Sequence, residues 1–268
     1  MASNGAVAAD AHAHLDRHGA VAVLRLDRPA VHNVVGLATI DRLEALLDEL
    51  DGWQDVVVLV LTGTGEKTFC AGSDLGDLAT VDDREAALDM SPRMQGILDR
   101  LDRGPRVTLA ALNGSAYGGG CELLTACHLR IAAAGSRFSF RQAKMGVSTG
   151  WGGGGRLFRL VGRSHALRLL LTADTISADE ALRIGLVDQV VPGDRVLDET
   201  LELAQRIAGN HPPSLAAFLA LANLADQETH NAILAEERRL FGELWRDNTF
   251  WENVEAWKVR RQQARAED

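Results

Sequence analysis

The sequence predicts an α/β fold, and three stretches carry that prediction. Val56 to Leu61 is an unbroken run of valine and leucine, as in a strand covered on both faces. Leu37 to Leu50 places Leu37, Ile40, Leu43, Leu46, Leu47 and Leu50 at helical spacing. Between Leu109 and Arg130 the two patterns follow one another. An apolar run ends at Leu112, Asn113-Gly114 turns the chain, Gly118, Gly119 and Gly120 follow, and a helical run spans Cys121 to His128.

The remaining elements fall into place in order. Residues Met1 to His18 are rich in Ala, Gly and His without periodicity, so a mobile tail is expected over 1–18. His12, His14 and His18 read as tail residues, because nothing near them completes a metal shell; no metal site is expected. Ala20 to Asp27 alternates through Val21, Val23, Leu24 and Leu26 and predicts a strand that Arg28-Pro29 breaks. Gly63 to Thr68 lacks the glycine spacing of a phosphate loop and is read as a plain loop. Asp82 to Asp102 predicts a helix through Leu88, Met94, Ile97, Leu98 and Leu101. Arg130 to Ala134 and Arg137 to Phe140 predict short strands. Gly150-x-Gly152-x-x-Gly155 matches a dinucleotide fingerprint in form, but Lys144 to Thr149 is polar or small where that site needs a hydrophobic strand. Arg163 to Leu171 and Ala178 to Ile184 predict helices, the second capped by Ser177 with Glu180 three residues on and closed by Gly185. Leu186 to Val191 predicts a last strand. Leu197 to Trp257 is helical throughout save for His211-Pro212-Pro213, with Leu240, Phe241, Leu244 and Trp245 on one apolar face, and Arg260 to Asp268 is expected to fray. The domain reading is a tail at 1–18, a core at 19–195 and a helical region at 196–268.

Composition excludes several classes. A chain of 268 residues, 46% of them hydrophobic, supports a large core. Its net charge of −9 lacks the clustered cations that a nucleic-acid partner requires. No apolar run approaches a membrane span, and no secretory signal is evident at the N-terminus. Cys70, Cys121 and Cys127 lack metal-ligand spacing and read as buried thiols of a reducing compartment, so a cytoplasmic protein is expected.

Function is carried by two glycine turns. Phe69 to Leu75 follows the Val56 to Leu61 strand, and the glycine triplet follows the second apolar run. Each turn can aim one backbone N–H at a common point, and two such donors form an oxyanion hole for a carbonyl. The helix N-terminus after Gly118 favours negative charge, and Glu122 stands in its first turn. With Ala71-Gly72-x-Asp74 and Asn113-Gly114-x-Ala116-x-Gly118-Gly119-Gly120-x-Glu122-Leu123 in this order, the chain resembles the crotonase, or enoyl-CoA hydratase/isomerase, superfamily. The resemblance runs from about Gly19 to Pro192 and continues more loosely to the C-terminus.

That resemblance implies a ClpP-like spiral of ββα turns with a C-terminal helical trimerisation region. It also implies a homo-oligomer, trimer or dimer of trimers, and an acyl-CoA thioester bound as substrate with no separate cofactor. It assigns the oxyanion donors to the N–H groups of Ser73 and Gly119. Val34, Ala71, Asp74, Leu75, Gly118 and Trp151 join them in coenzyme A and substrate binding, Val34 lying in a segment (Asn33 to Val35) where the family has N-A-L. The terminal helices are expected to cover a neighbour's pocket or to pack within the chain, and residues Asp82 to Asp102 to shape the acyl pocket. Glu122 matches the first of the two glutamates that hydratases use to split water. Aligned on Phe138 and Gly146, the second falls at Gln142, and an amide cannot act as acid or base near neutral pH. Decarboxylation needs no starting base, and the run from Lys144-Met145-Gly146 to Gly150-Trp151-Gly152-Gly153 resembles the ethylmalonyl/methylmalonyl-CoA decarboxylase-like branch. A lyase removing carbon dioxide from a 2-carboxyacyl-CoA is therefore placed ahead of a hydratase working with Glu122 alone, and an RNA-binding protein of this fold is a remote third. Lys144 is read as a carboxylate ligand or a solvated lysine. His128, which stands where the family commonly has aspartate, is read as structural at a helix end.

Overall fold

The computed structural model describes residues 12–80, 88–246 and 248–267, and its frame is a six-stranded sheet. Strands β1 (Ala13–His18), β2 (Val21–Leu26), β3 (Val58–Gly63), β5 (Val107–Leu112), β7 (Leu129–Ala133) and β10 (Gln189–Val191) lie side by side in that order. Only β1, on the edge, runs antiparallel to its neighbour. A smaller sheet holds β4 (Thr68–Cys70), β6 (Ser115–Tyr117), β8 (Arg137–Ser139) and β9 (Ile176–Ser177). The helices are α1 (Leu37–Asp51), α2 (Leu75–Leu78), α3 (Met90–Arg103), α4 (Gly119–Thr125), α5 (Gln142–Met145), α6 (Gly153–Thr172), α7 (Ala178–Arg183), α8 (Val196–Ala208), α9 (Pro212–Arg246) and α10 (Asn248–Glu267). A strand of the large sheet, a strand of the small sheet and then helix recur at β3–β4, β5–β6 and β7–β8, which is the expected ββα spiral.

The apolar runs are continuous because the large sheet is covered on both faces. Side chains alternate along a strand, so Leu59 and Leu61 of β3 join Leu24, Leu26 and Leu112 under Ile40, Leu43 and Leu47 of α1. Val58 and Val60 turn the other way, joining Val21, Val23, Leu109 and Ile131 against Val196 and Ala204 of α8. Cys70, Cys121 and Cys127 lie inside as free thiols, and burial pushes Cys70 and Cys127 up to about 12, so they act as small apolar residues.

Several expectations need correction. The tail expected through His18 stops short of Ala13: Ala13–His18 pairs with β2, His14 Nε2 lies 2.7 Å from Asp27, and His12 Nδ1 lies 2.9 Å from the Thr39 hydroxyl. The strand escaped notice because only Ala13 and Leu15 turn inward, as befits a charged edge strand. Residues 1–11 and 81–87 lie outside the described ones, and the helix expected over Asp82 to Asp102 is Met90–Arg103. The helix expected from Arg163 is present, following a break at Gly162 where φ is +72°; what was not expected is the helical stretch from Gly153 that precedes it. The fraying end expected at Arg260 to Asp268 is helical through Glu267.

His128 is structural, and the helix end it meets is the last turn of α3. Its Nδ1 accepts the Thr108 N–H at 2.9 Å and its Nε2 donates to the Asp102 carbonyl at 3.0 Å, a pairing that suits the neutral ring. Burial lowers its pKa below the ordinary histidine value. The unfolded chain therefore takes up this proton at a higher pH than the folded one, and stability is lost as pH falls from about 6.5 downward. Urea midpoints measured from about pH 8 to about pH 5 are expected to fall for the native chain and to fall less steeply for His128→Asn.

Candidate active site

The first glycine turn is fixed by one parallel bridge. Val35 N–H donates to Gly72 O at 2.8 Å and Asp74 N–H to Val35 O at 2.9 Å, so the N–H of Ser73 between them faces the other way. Asp74 is occupied in holding the turn. Its Oδ1 accepts from the N–H groups of Gly76 and Asp77, capping α2, and its Oδ2 takes Arg28 at 2.8 Å. The same guanidinium donates to the Val34 carbonyl at 3.1 Å. In the second turn, Gly118 adopts φ +53° and donates to Ser139 O at 2.9 Å, and Gly119 becomes the first residue of α4, where its N–H has no intrahelical partner. The turns touch: a Cβ on Gly72, where φ is +94°, would lie 2.9 Å from Gly119 N. Ser73 and Gly119 thereby share the wall of one cavity of about 350 Å³.

Glu122 lies beneath that wall, 2% exposed. Its Oε1 accepts the Gln142 amide at 2.9 Å and Gly150 N–H at 3.3 Å, and its Oε2 accepts Trp151 N–H at 2.8 Å and Gly153 N–H at 3.0 Å. Burial raises its pKa, and these four donors, which favour the ionised form, pull against that rise. The glycine run at 150–155 is therefore a carboxylate nest and not a nucleotide loop. Its carbonyls are tied from the opposite side. Gly150 O accepts from Ser91 Oγ at 2.6 Å and from Gln95 Nε2 at 3.1 Å. Gly152 O accepts from Arg156 at 2.9 Å, and that buried guanidinium also grips Asp99 and Asp102 of α3. Gln142 turns its amide N–H to Glu122 and leaves its buried Oε1 without a protein partner.

Among the residues anticipated for the site, Ala71, Ser73, Leu75, Gly118, Gly119, Glu122, Gln142 and Trp151 line the cavity together. Val34 and Asp74 do not line it; they brace the first turn. Lys144 also stands apart, exposed and donating to Ala173 O at 3.0 Å at the end of α6, so it is a surface lysine and does not reach the cavity as a carboxylate ligand. His128 is on the far side, between β5 and α3.

The roof went unread. Phe241, Trp245, Phe250, Trp257 and Arg260 line the cavity from α9 and α10 of the same chain. Trp245 anchors the group, its ring centroid 5.2 Å from Phe241, 4.8 Å from Phe250 and 5.0 Å from Trp251. Of the apolar face expected there, Phe241 and Trp245 are buried and Leu244 is exposed; the Leu240 side chain lies outside the described residues. Tyr117 and Arg141 were also missed, although the sequence places each beside a site residue. Met90 is the contribution of α3 to the lining.

Residues 16–265 match the sequence profile of the enoyl-CoA hydratase/isomerase family. The chain is 36% identical over 234 residues to the short-chain-enoyl-CoA hydratase of Clostridium acetobutylicum, covering 85% of this chain and 87% of that one. It is 34% identical over 228 residues to the ethylmalonyl-CoA decarboxylase of Xenopus laevis, covering 84% of this chain and 76% of the relative. Among solved structures, an enoyl-CoA hydratase from Bacillus anthracis superposes with TM-score 0.78 at 30% identity, over 93% of this chain and 96% of that one. An enoyl-CoA hydratase/isomerase from Pseudoalteromonas atlantica gives 0.83 at 25% identity, over 93% and 97%.

Gly119→Ala separates packing from helix propensity. Alanine favours a helix over glycine by about 1 kcal/mol, yet a Cβ at Gly119 would lie 2.6 Å from the Trp151 ring. The variant is expected to unfold at lower urea than the native chain, with a net loss of about 1 to 3 kcal/mol.

Proposed function

The chain belongs to the enoyl-CoA hydratase/isomerase family, and from that premise we propose that it is an acyl-CoA lyase decarboxylating a 2-carboxyacyl-CoA of the methylmalonyl or ethylmalonyl type. One observation carries the reading: among the described residues lining the cavity, Glu122 is the single carboxyl group, and the residue bonded to it is the amide Gln142. In the proposed step the bond between the α carbon and the carboxylate breaks, and its electron pair becomes the enolate of the thioester. Carbon dioxide leaves, and the N–H groups of Ser73 and Gly119 hold the enolate oxygen. In this scheme Glu122 is the acid that protonates the α carbon, burial raising its pKa above the ordinary glutamate value. Its four donors then stabilise the carboxylate until solvent returns the proton. Trp151 supplies an apolar surface beside Gly119, which disfavours the substrate's charged carboxylate relative to the neutral carbon dioxide that leaves. No cofactor enters this scheme, since the thioester is the substrate.

A second reading is hydration of a 2-enoyl-CoA, with Glu122 as sole acid and base. The 36% identity to a protein named short-chain-enoyl-CoA hydratase favours it. In either reaction the working unit is proposed to be a homotrimer or a dimer of trimers in the cytoplasm. Phe218 and Leu221, 68% and 63% exposed on α9, are apolar surface suited to burial between copies.

Mass spectrometry of the protein incubated with ethylmalonyl-CoA, methylmalonyl-CoA and crotonyl-CoA tests the choice. Loss of carbon dioxide from a malonyl-type thioester, with crotonyl-CoA untouched, is expected; hydration without decarboxylation overturns the lyase reading in favour of the second. Glu122→Gln is expected to reduce kcat for decarboxylation about 100-fold or more. Gln142→Glu restores a carboxyl pair and is expected to raise crotonyl-CoA hydration at least about tenfold over the native chain.

A further inference from the structure

We infer that Arg141 is a specificity-determining residue whose guanidinium takes a carboxylate borne by the acyl group, which makes the substrate class carboxyacyl-CoA thioesters. The inference rests on the reading that this cavity binds an acyl-CoA thioester. Arg141 lines the cavity, and its guanidinium carbon stands 4.6 Å from the centroid of the Tyr117 ring. No described residue makes an ion pair or hydrogen bond to its side chain. Two other arginines near the site are spent on structure, Arg28 on Asp74 and Arg156 on Asp99 and Asp102, while Arg260 lines the cavity from α10. Arg141 is a cation with its N–H edges open.

The small sheet sets where that cation lies. Register pairs Cys70 with Ala116 and Tyr117 with Ser139, so the loops leaving β4, β6 and β8 form a row: Ala71 to Ser73, then Gly118 and Gly119, then Arg141. Two strand spacings, about 10 Å, separate the first from the last. With coenzyme A along Ala71 to Leu75 and the thioester oxygen at the middle loop, Arg141 flanks the acyl side. The anion it meets is then carried by the acyl group and not by the coenzyme A phosphates. Stacking on Tyr117 fixes the plane of the guanidinium and leaves its edges for bidentate contact. The neighbouring lining of Met145, Val147, Trp151 and Phe241 is apolar, so the exposed Arg141 supplies the charge with which a carboxylate on the acyl group would pair.

The carboxylate can be at the 2-position or at the far end of a dicarboxylic acyl group, and binding measurements tell these apart. Calorimetric Kd values for butyryl-CoA, succinyl-CoA and methylmalonyl-CoA are taken in the Glu122→Gln background, where turnover is slowed about 100-fold, with Arg141 native or replaced by Gln or Lys. With native Arg141, at least one carboxyacyl-CoA is expected to bind about tenfold or more tighter than butyryl-CoA, and which one does so reports the position of the carboxylate. Arg141→Gln is expected to erase that ratio while leaving butyryl-CoA affinity within about twofold, and Arg141→Lys to keep part of it. A ratio near one with native Arg141, or one unchanged in Arg141→Gln, overturns the inference. An equal loss for all three ligands also overturns it, because Arg141 would then serve the coenzyme or the fold. The ratios are read without catalysis, so they stand whether decarboxylation or hydration prevails; failure to bind any of the thioesters overturns the premise and the inference together.

Discussion

The Glu122 carboxylate, buried and filled by four donors, is the constraint on which the rest of the site depends. A carboxylate has about four lone-pair sites, and here each meets a donor from a segment far off in sequence. Removing the side chain would orphan three main-chain N–H groups at once. Removing the loop would strand a charge in a core. Neither half is stable alone, so α4 and the 150–153 loop are obliged to form together. Gly153 marks how close they come, since a Cβ there would sit 2.5 Å from the Cβ of Glu122.

From that point the bracing runs outward. Arg156 ties the far side of the loop to α3, Ser91 and Gln95 tie its near side, and Trp151 is thereby pressed onto Gly119. The two asparagines do equivalent work behind the first turn. Asn33 donates to Thr64 O and Thr68 O, and Asn113 accepts from Gly63 N–H and donates to Gly65 O, so the 63–68 loop is held from both sides. These are hydrogen bonds to main chain, which fix position with little dependence on neighbouring side-chain identity.

What was legible in the sequence was local. Both glycine turns, Glu122 in the first turn of its helix and the runs of β2, β3 and β5 were readable, because period and glycine placement are properties of short segments. The partnership of Gln142 with Glu122 was readable only as an alignment of positions, and its hydrogen bond came from the structure. The roof was not legible, since Trp245 meets Phe250 through a helix junction that helical periodicity does not encode. Nor was Arg141, whose role depends on the order of β4, β6 and β8. Asp74 misled for a related reason: it belongs to a binding motif, while its oxygens are taken up by α2 and Arg28.

The aromatic roof also gives the protein a particular optical character. Of its five tryptophans, Trp151, Trp245 and Trp257 line the cavity and Trp251 packs edge-on against Trp245, whereas Trp53 sits apart beside Arg17. Ultraviolet emission from the intact chain is thus dominated by indoles within one chamber. A change in that emission on adding a ligand is a report from the chamber itself. For the same reason, a denaturation curve followed by tryptophan emission records the detachment of α9 and α10, and a backbone-sensitive probe is needed to see the sheet come apart.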